Sequence, residues 1–260
     1  MKNILTKLKI NFTTYLFFFS CFLTGYIKQA LIIFLIVLVH EFGHVTMAIL
    51  NGYKIDKIEL LPFGGITTID KPINTPLDKE FKIAIGGFLF QFILFIIFSI
   101  FYKFNIIDNS FWQIFIKYNF TIILFNMIFI YPLDGFKILS CFVENFCGYY
   151  YAYSILGIIS IIFLILFFCL NTIFSLNNYL IISFLIYNIF AYFKIKSKLY
   201  YRFLLERYLR NVEYKKIQYE KSLNLKKLRK DYNHYFYVTN GVVNERKVLA
   251  KKFDISKRFW

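Results

Sequence analysis

Apolar residues in this chain come in long unbroken runs, not in the alternating or every-third-residue patterns of water-facing elements. Six runs reach or approach the about 17–25 residues a helix needs to cross a hydrocarbon core. They are Phe12–Ile27, Leu31–Leu50, Ile83–Phe101, Phe115–Leu133, Tyr151–Leu170 and Leu176–Phe193. The fold class they predict is an all-α polytopic membrane protein, with about six transmembrane helices in residues 1–193. Residues 194–260 are then a small basic cytoplasmic region. Residues 194–230 read as one or two amphipathic helices with Phe203, Leu204, Leu205 and Tyr208 on one side. Tyr235–Thr239 and Val242–Leu249 flank the turn pair Asn240–Gly241 and read as a hairpin. Between the second and third runs, Leu61–Pro62–Phe63–Gly64–Gly65 predicts a short folded piece, a hairpin or a re-entrant segment.

Composition supports the membrane reading. Of 260 residues, 58% are hydrophobic, 22% aromatic and 18% charged, against about 45–50% apolar and about 25% charged in soluble domains. A soluble single-domain enzyme and a disordered chain are both excluded. Four cysteines make no disulfide framework.

Charge then orients the spans. The net charge is +16, and residues 194–260 hold 19 Lys and Arg against six acids. Lys2, Lys7 and Lys9 carry the N-terminus with no acid nearby. Six spans return both ends to one side, and basic residues collect on the cytoplasmic side. Both termini are therefore expected in the cytoplasm of a multi-pass cell-membrane protein. The 51–82 segment and the Pro132–Leu133–Asp134–Gly135 turn then face the same way, and 102–114 lies outside. The basic tail reads as an orientation signal and a contact for anionic lipid, with no nucleic acid as partner.

The chemistry sits in the second run. His40–Glu41–Phe42–Gly43–His44 places two imidazoles at i and i+4, on one face of a helix, where both can reach one metal ion. Zinc suits two such nitrogens and needs a third protein ligand in a catalytic site. Glu41 can take a proton from an attacking water. It is also the only Asp, Glu, Lys or Arg well inside any of the six runs, and intramembrane charges are expensive and functional by default. For the third ligand, Asp134 at the inner end of the fourth run fits, but Asp-Gly is equally a turn pair. His234, the chain's last histidine, is expected at the tail surface.

These residues resemble the site-2 protease family of intramembrane zinc metalloproteases, in its sporulation branch. The resemblance covers residues from about 31 to 140. The family's His-Glu-x-x-His helix is matched by His40, Glu41 and His44, and its Pro-x-Asp-Gly motif by Pro132, Leu133, Asp134 and Gly135. Asn126 matches the polar residue that precedes that motif, and Leu61–Gly65 the membrane loop. Gly86, Gly87 and Gln91 stand where the family has Gly-Pro and an Asn or His; Phe88 replaces the proline.

The resemblance implies Zn2+ held by His40, His44 and Asp134, with Glu41 as catalytic base. Asn126, Gly64 and Gly65 are implied substrate-binding positions, Asn126 reading equally as an interhelical hydrogen bond. The substrate implied is a membrane-associated regulatory protein such as a pro-sigma factor, with membrane inhibitor proteins as partners. A transporter or an inactive regulatory protein using the same His pair is the alternative. A transporter predicts further intramembrane charges or inverted repeats, and neither is seen.

Overall fold

Helix boundaries follow the capping residues more closely than the ends of the apolar runs. The computed structural model describes residues 8–61, 64–174, 179–210, 214, 216–238 and 241–254. Lys2, Lys7, Pro62, Phe63, Leu176, Thr239 and Asn240, named above, lie outside these. The chain separates into two units: residues 1–71 with 81–128, and residues 72–80 with 129–260.

The first unit begins with strand β1 (Leu8–Ile10) and helix α1 (Phe12–Leu23), whose cap Asn11 accepts a bond from the Thr13 N–H. Helix α2 (Ile27–Leu50) follows and ends where Asn51 caps it and Gly52 takes a φ of +84°. Strands β2 (Lys54–Leu61) and β3 (Gly64–Asp70) pair antiparallel, and β1 adds parallel to β2, giving a three-stranded sheet in the order β1-β2-β3. Helix α3 (Leu77–Lys103) and helix α4 (Asn109–Asn126) follow. On α2, Ile32, Ile36, Val37, His40, Gly43, His44, Val45 and Ala48 form one buried face. Its upper part packs with Leu94 of α3 and Phe115 of α4. Its lower part packs with Ile55 and Ile58 of β2 and Ile83 of α3. The opposite side of α2 exposes Leu31, Leu35, Phe42 and Ile49, as a lipid-facing helix does.

The second unit holds helix α5 (Asp134–Phe146), α6 (Tyr149–Phe174), α7 (Tyr179–Leu209), strands β4 (Lys216–Glu220), β5 (Tyr232–Val238) and β6 (Gly241–Asn244), and helix α8 (Glu245–Phe253). A short 3-10 turn, Leu225–Lys227, links β4 to β5. The sheet order is β4-β5-β6. Phe203 and Leu204 of α7 pack on Tyr149, Leu228, Phe236 and Leu249 to make the tail core.

Three helical segments among the described residues are long and apolar enough to cross a membrane: α2, α3 and Tyr149–Cys169 of α6. The protein is mostly helical, and two sheets qualify the all-α expectation.

Several boundaries differ from the expected ones. The first span shortens to the 12 residues of α1. The fourth shifts from Phe115–Leu133 to Asn109–Asn126 because the Asp108 carboxylate caps the Phe111 N–H at 3.2 Å. Lys117 therefore sits midway along α4, beside the single charge expected inside the spans. Residues 194–230 are not continuous amphipathic helix: α7 ends at Leu209 and β4 follows. Val242–Leu249 is strand only to Asn244, whose side chain caps α8 through the Arg246 N–H.

Candidate metal centre and its surroundings

Helix geometry brings His40 and His44 face to face. Their Nε2 atoms lie 3.1 Å apart, and both residues are buried. The outer nitrogen of each ring is held by an acceptor on α3: His44 Nδ1 by the Ile83 carbonyl at 2.8 Å, His40 Nδ1 by Gln91 Oε1 at 2.8 Å. A neutral imidazole that donates from Nδ1 keeps its lone pair on Nε2. Two lone pairs thus converge from adjacent turns of one helix. Two nitrogens about 2.0–2.1 Å from one tetrahedral ion stand about 3.3 Å apart, so the pair fits a zinc-sized ion. Two lone pairs directed at one point are the donor arrangement a cation takes, so the chemistry of this pair fits a metal ion.

Small residues make the close approach possible. A Cβ on Gly43 would collide with the Gly86 carbonyl, so α2 and α3 meet through backbone. A Cβ on Gly87 would lie 2.5 Å from His40 Cε1 and 2.6 Å from His44 Nε2. Phe88 sets its ring edge-on against His40 at 5.7 Å.

Glu41 is half-buried, one residue round the helix from His40. Its Oε2 accepts from the Thr67 hydroxyl at 2.8 Å. Gly65 lies on the same face of β3, and a Cβ there would strike the Glu41 side chain. Gly64 opens β3 opposite Leu61. Asn126 is the half-buried last residue of α4.

Asp134 belongs to the second unit. It does not end the fourth span, as expected, but opens α5 as its first residue. There it is buried, with Oδ1 2.8 Å from Lys137 Nζ one turn on. A carboxylate at a helix N-terminus is favoured by the backbone dipole. His234 is not on the surface but fully buried in the tail, bonded to Glu245 at 3.0 Å.

Sequence reading missed Gln91 as the His40 partner, Ile83 as the His44 partner, and Thr67 and Asn119 altogether. Buried polar residues within apolar runs were the available signal: Asn119 stands seven residues before Asn126 in a helix that is otherwise mostly apolar.

Comparison with known proteins agrees with this geometry. Residues 28–109, which contain both histidines, Glu41, Gln91 and the β2–β3 sheet, match Peptidase family M50. Stage IV sporulation protein FB of Bacillus subtilis is 32% identical over 193 residues, 72% of this chain and 66% of that protein. The chain belongs to peptidase family M50. A zinc metalloprotease of Methanocaldococcus jannaschii is 35% identical to this M50 chain over 122 residues, 46% of the chain and 35% of the relative. The chain thus spans a little under two thirds of one curated relative and about a third of the other. The solved site-2 protease from Methanocaldococcus jannaschii shares the fold, with a TM-score of 0.50 at 24% identity, covering 81% of this chain and 94% of that one. Apolar helices and these relatives make it a membrane protein.

Proposed function

We propose that this protein is an intramembrane zinc endopeptidase that cleaves membrane-associated proteins near the cytoplasmic face. The observation that carries the reading is the convergence of the His40 and His44 lone pairs, each ring pinned from behind. As the family resemblance implies, His40, His44 and Asp134 would hold the metal, and two histidines with one carboxylate suit catalytic zinc. When bound there, zinc supplies Lewis acidity toward the scissile carbonyl and toward water.

The protein's own groups do the rest. His40 and His44 present their Nε2 nitrogens from a helix that lies close against α3, since neither Gly43 nor Gly86 carries a Cβ to hold the two apart. Glu41 takes the proton of the attacking water and passes it to the departing amine, and Thr67 aims the carboxylate. Asn126, Gly64 and Gly65 line the approach of an extended substrate. That substrate is a membrane-tethered regulatory protein of the pro-sigma type, a reading supported by the sporulation relative. Membrane inhibitor proteins and anionic lipid at the basic tail complete the proposed partners. The proposed topology is six passes within residues 1–193, both termini cytoplasmic, and a cytoplasmic region from 194.

The test is zinc per chain in detergent-purified protein. One zinc in wild type, lost in both His44→Ala and Asp134→Asn, is expected. Zinc lost only in His44→Ala would remove Asp134 as a ligand. No zinc after remetallation would favour a transporter or an inactive family member.

A further inference from the structure

The two histidines are not fixed in the same way. His44 faces the Ile83 carbonyl, which can only accept, so its Nδ1 carries the proton and its Nε2 the lone pair. His40 faces the side-chain amide of Gln91, and an amide has two ends. With Oε1 toward the ring, His40 is protonated on Nδ1 and its Nε2 is a ligand. With the amide turned over, the NH2 donates to Nδ1 and the ring proton moves to Nε2. At 3.1 Å from His44 Nε2, that proton closes a His–His hydrogen bond. Such a pair is self-satisfied and offers His40 to no metal. One amide rotation therefore separates a metal-binding pair from a closed one.

Asn119 of α4 selects between the two by the end of its own amide that it presents. Its Oδ1 accepts from Gln91 Nε2 at 3.3 Å, which turns Oε1 toward His40. Gln91 is 0% and Asn119 1% exposed, so bulk water offers neither amide an alternative partner. Asn119 lies one turn beyond Phe115, which packs against Ile36 and Leu94 and fixes α4 on α2 and α3. We propose that Asn119, acting through Gln91, is a positioning residue that sets the tautomer of His40 and so opens the His pair to metal. The relay runs across three helices, and its metal consequence rests on the reading of the preceding subsection. Buried side chains that hold metal-ligating imidazoles usually change metal affinity by about 10–100-fold when removed.

The experiment pairs two readouts on detergent-purified full-length protein. The chain has only three histidines, so 15N-histidine spectra of zinc-free protein report each tautomer. Chelator competition reports zinc affinity. In wild type, His40 and His44 are expected as Nδ1–H. In Asn119→Leu, His40 acquires the Nε2–H form and zinc affinity falls by about 10–100-fold. Adding Gln91→Glu to that variant replaces the two-ended amide with an acceptor, restoring Nδ1–H and zinc affinity to near wild type. A packing role for Asn119 would not be rescued in this way.

Unchanged tautomer and affinity in Asn119→Leu, or loss that Gln91→Glu does not repair, would overturn the proposal. Asn119→Ser, too short to reach Gln91, is read identically should the leucine variant not accumulate. Wild type with both Nδ1–H tautomers but no zinc binding would sink the protease reading and leave the relay standing.

Discussion

The Thr67 hydroxyl donates to Glu41 Oε2 at 2.8 Å, fastening strand β3 to the acid that follows the first histidine. Gly65, two residues earlier on that strand, leaves the space the Glu41 side chain fills. The sheet is thereby part of the site and not merely beside it.

Two substitutions separate the roles of this pair. In Glu41→Gln, zinc is expected to stay bound while cleavage of a membrane-tethered reporter falls by about 10²–10⁴-fold, the usual contribution of a general base. Retained cleavage would remove Glu41 as the base. Thr67→Val should keep zinc and lose about tenfold in turnover, equivalent to about 1.4 kcal/mol, with Thr67→Ser near wild type. Equal rates in the valine and serine variants would mean that the hydroxyl does not orient the carboxylate.

Gly87→Ala places a methyl group against both imidazoles, 2.5 Å and 2.6 Å from their nearest atoms. Overpacking of this kind costs about 1–3 kcal/mol, and here it acts on the rings themselves. Zinc content should drop sharply while circular dichroism still reports a helical protein. Ile85→Ala, on the exposed side of the same helix, is the control and should keep its zinc. Wild-type zinc binding in Gly87→Ala would mean that the rings have room to spare.

Buried ion pairing in the second unit gives a stability prediction. Lys230 Nζ lies 2.8 Å from both Glu80 Oε2 and Glu144 Oε2, and all three side chains are largely buried. Burial alone would lower the Lys230 pKa, but Glu144 and Glu80 outweigh it and hold the ammonium above the ordinary lysine value. Lys230→Met strands two carboxylates and should destabilise by about 3–5 kcal/mol, read as a large fall in melting temperature. Adding Glu80→Gln and Glu144→Gln should recover most of that loss. A single variant as stable as wild type would show that the network contributes nothing.

Acid should weaken the tail in two stages. Burial lowers the His234 pKa below its ordinary 6.5, against the opposing bond to Glu245. The folded tail thus holds a neutral imidazole, with Nε2 accepting from the Arg229 N–H at 3.1 Å. The unfolded chain binds this proton first, so stability starts to fall as pH drops through about 6.5. For Glu245, burial raises the pKa, but His234 and Arg207 more than offset it and bring the group below its ordinary 4.5. Its contribution is present above that value and is lost only in stronger acid. Melting temperatures at pH 7.5, 6 and 5 should fall in wild type and stay flatter in His234→Gln. Parallel curves would contradict the assignment.

His40, Glu41 and His44 were legible because their spacing is local: one helix turn puts the rings together whatever else the chain does. Asp134 was legible as a residue and misplaced as a position. An apolar run continues from Phe115 to Leu133 without a gap, and nothing in hydropathy says that the helix stops at Asn126. The partners Gln91, Asn119 and Ile83 were not legible as partners, since a polar residue in an apolar helix signals burial without naming what it meets, and a carbonyl leaves no mark in sequence. In the tail, Val242–Leu249 looked like one strand because its residues suit either state. The Asn244 cap decides for helix, and its effect depends on a turn already in place.

The Ile83 carbonyl that holds His44 belongs to the main chain, so ordinary side-chain replacement at residue 83 does not erase it. His40 depends on two side chains, each one codon change away from loss. Under mutation, then, one imidazole is insured and its neighbour is adjustable. Libraries meant to retune this pair toward another ion have their natural variable positions at 91 and 119, with residue 83 left alone.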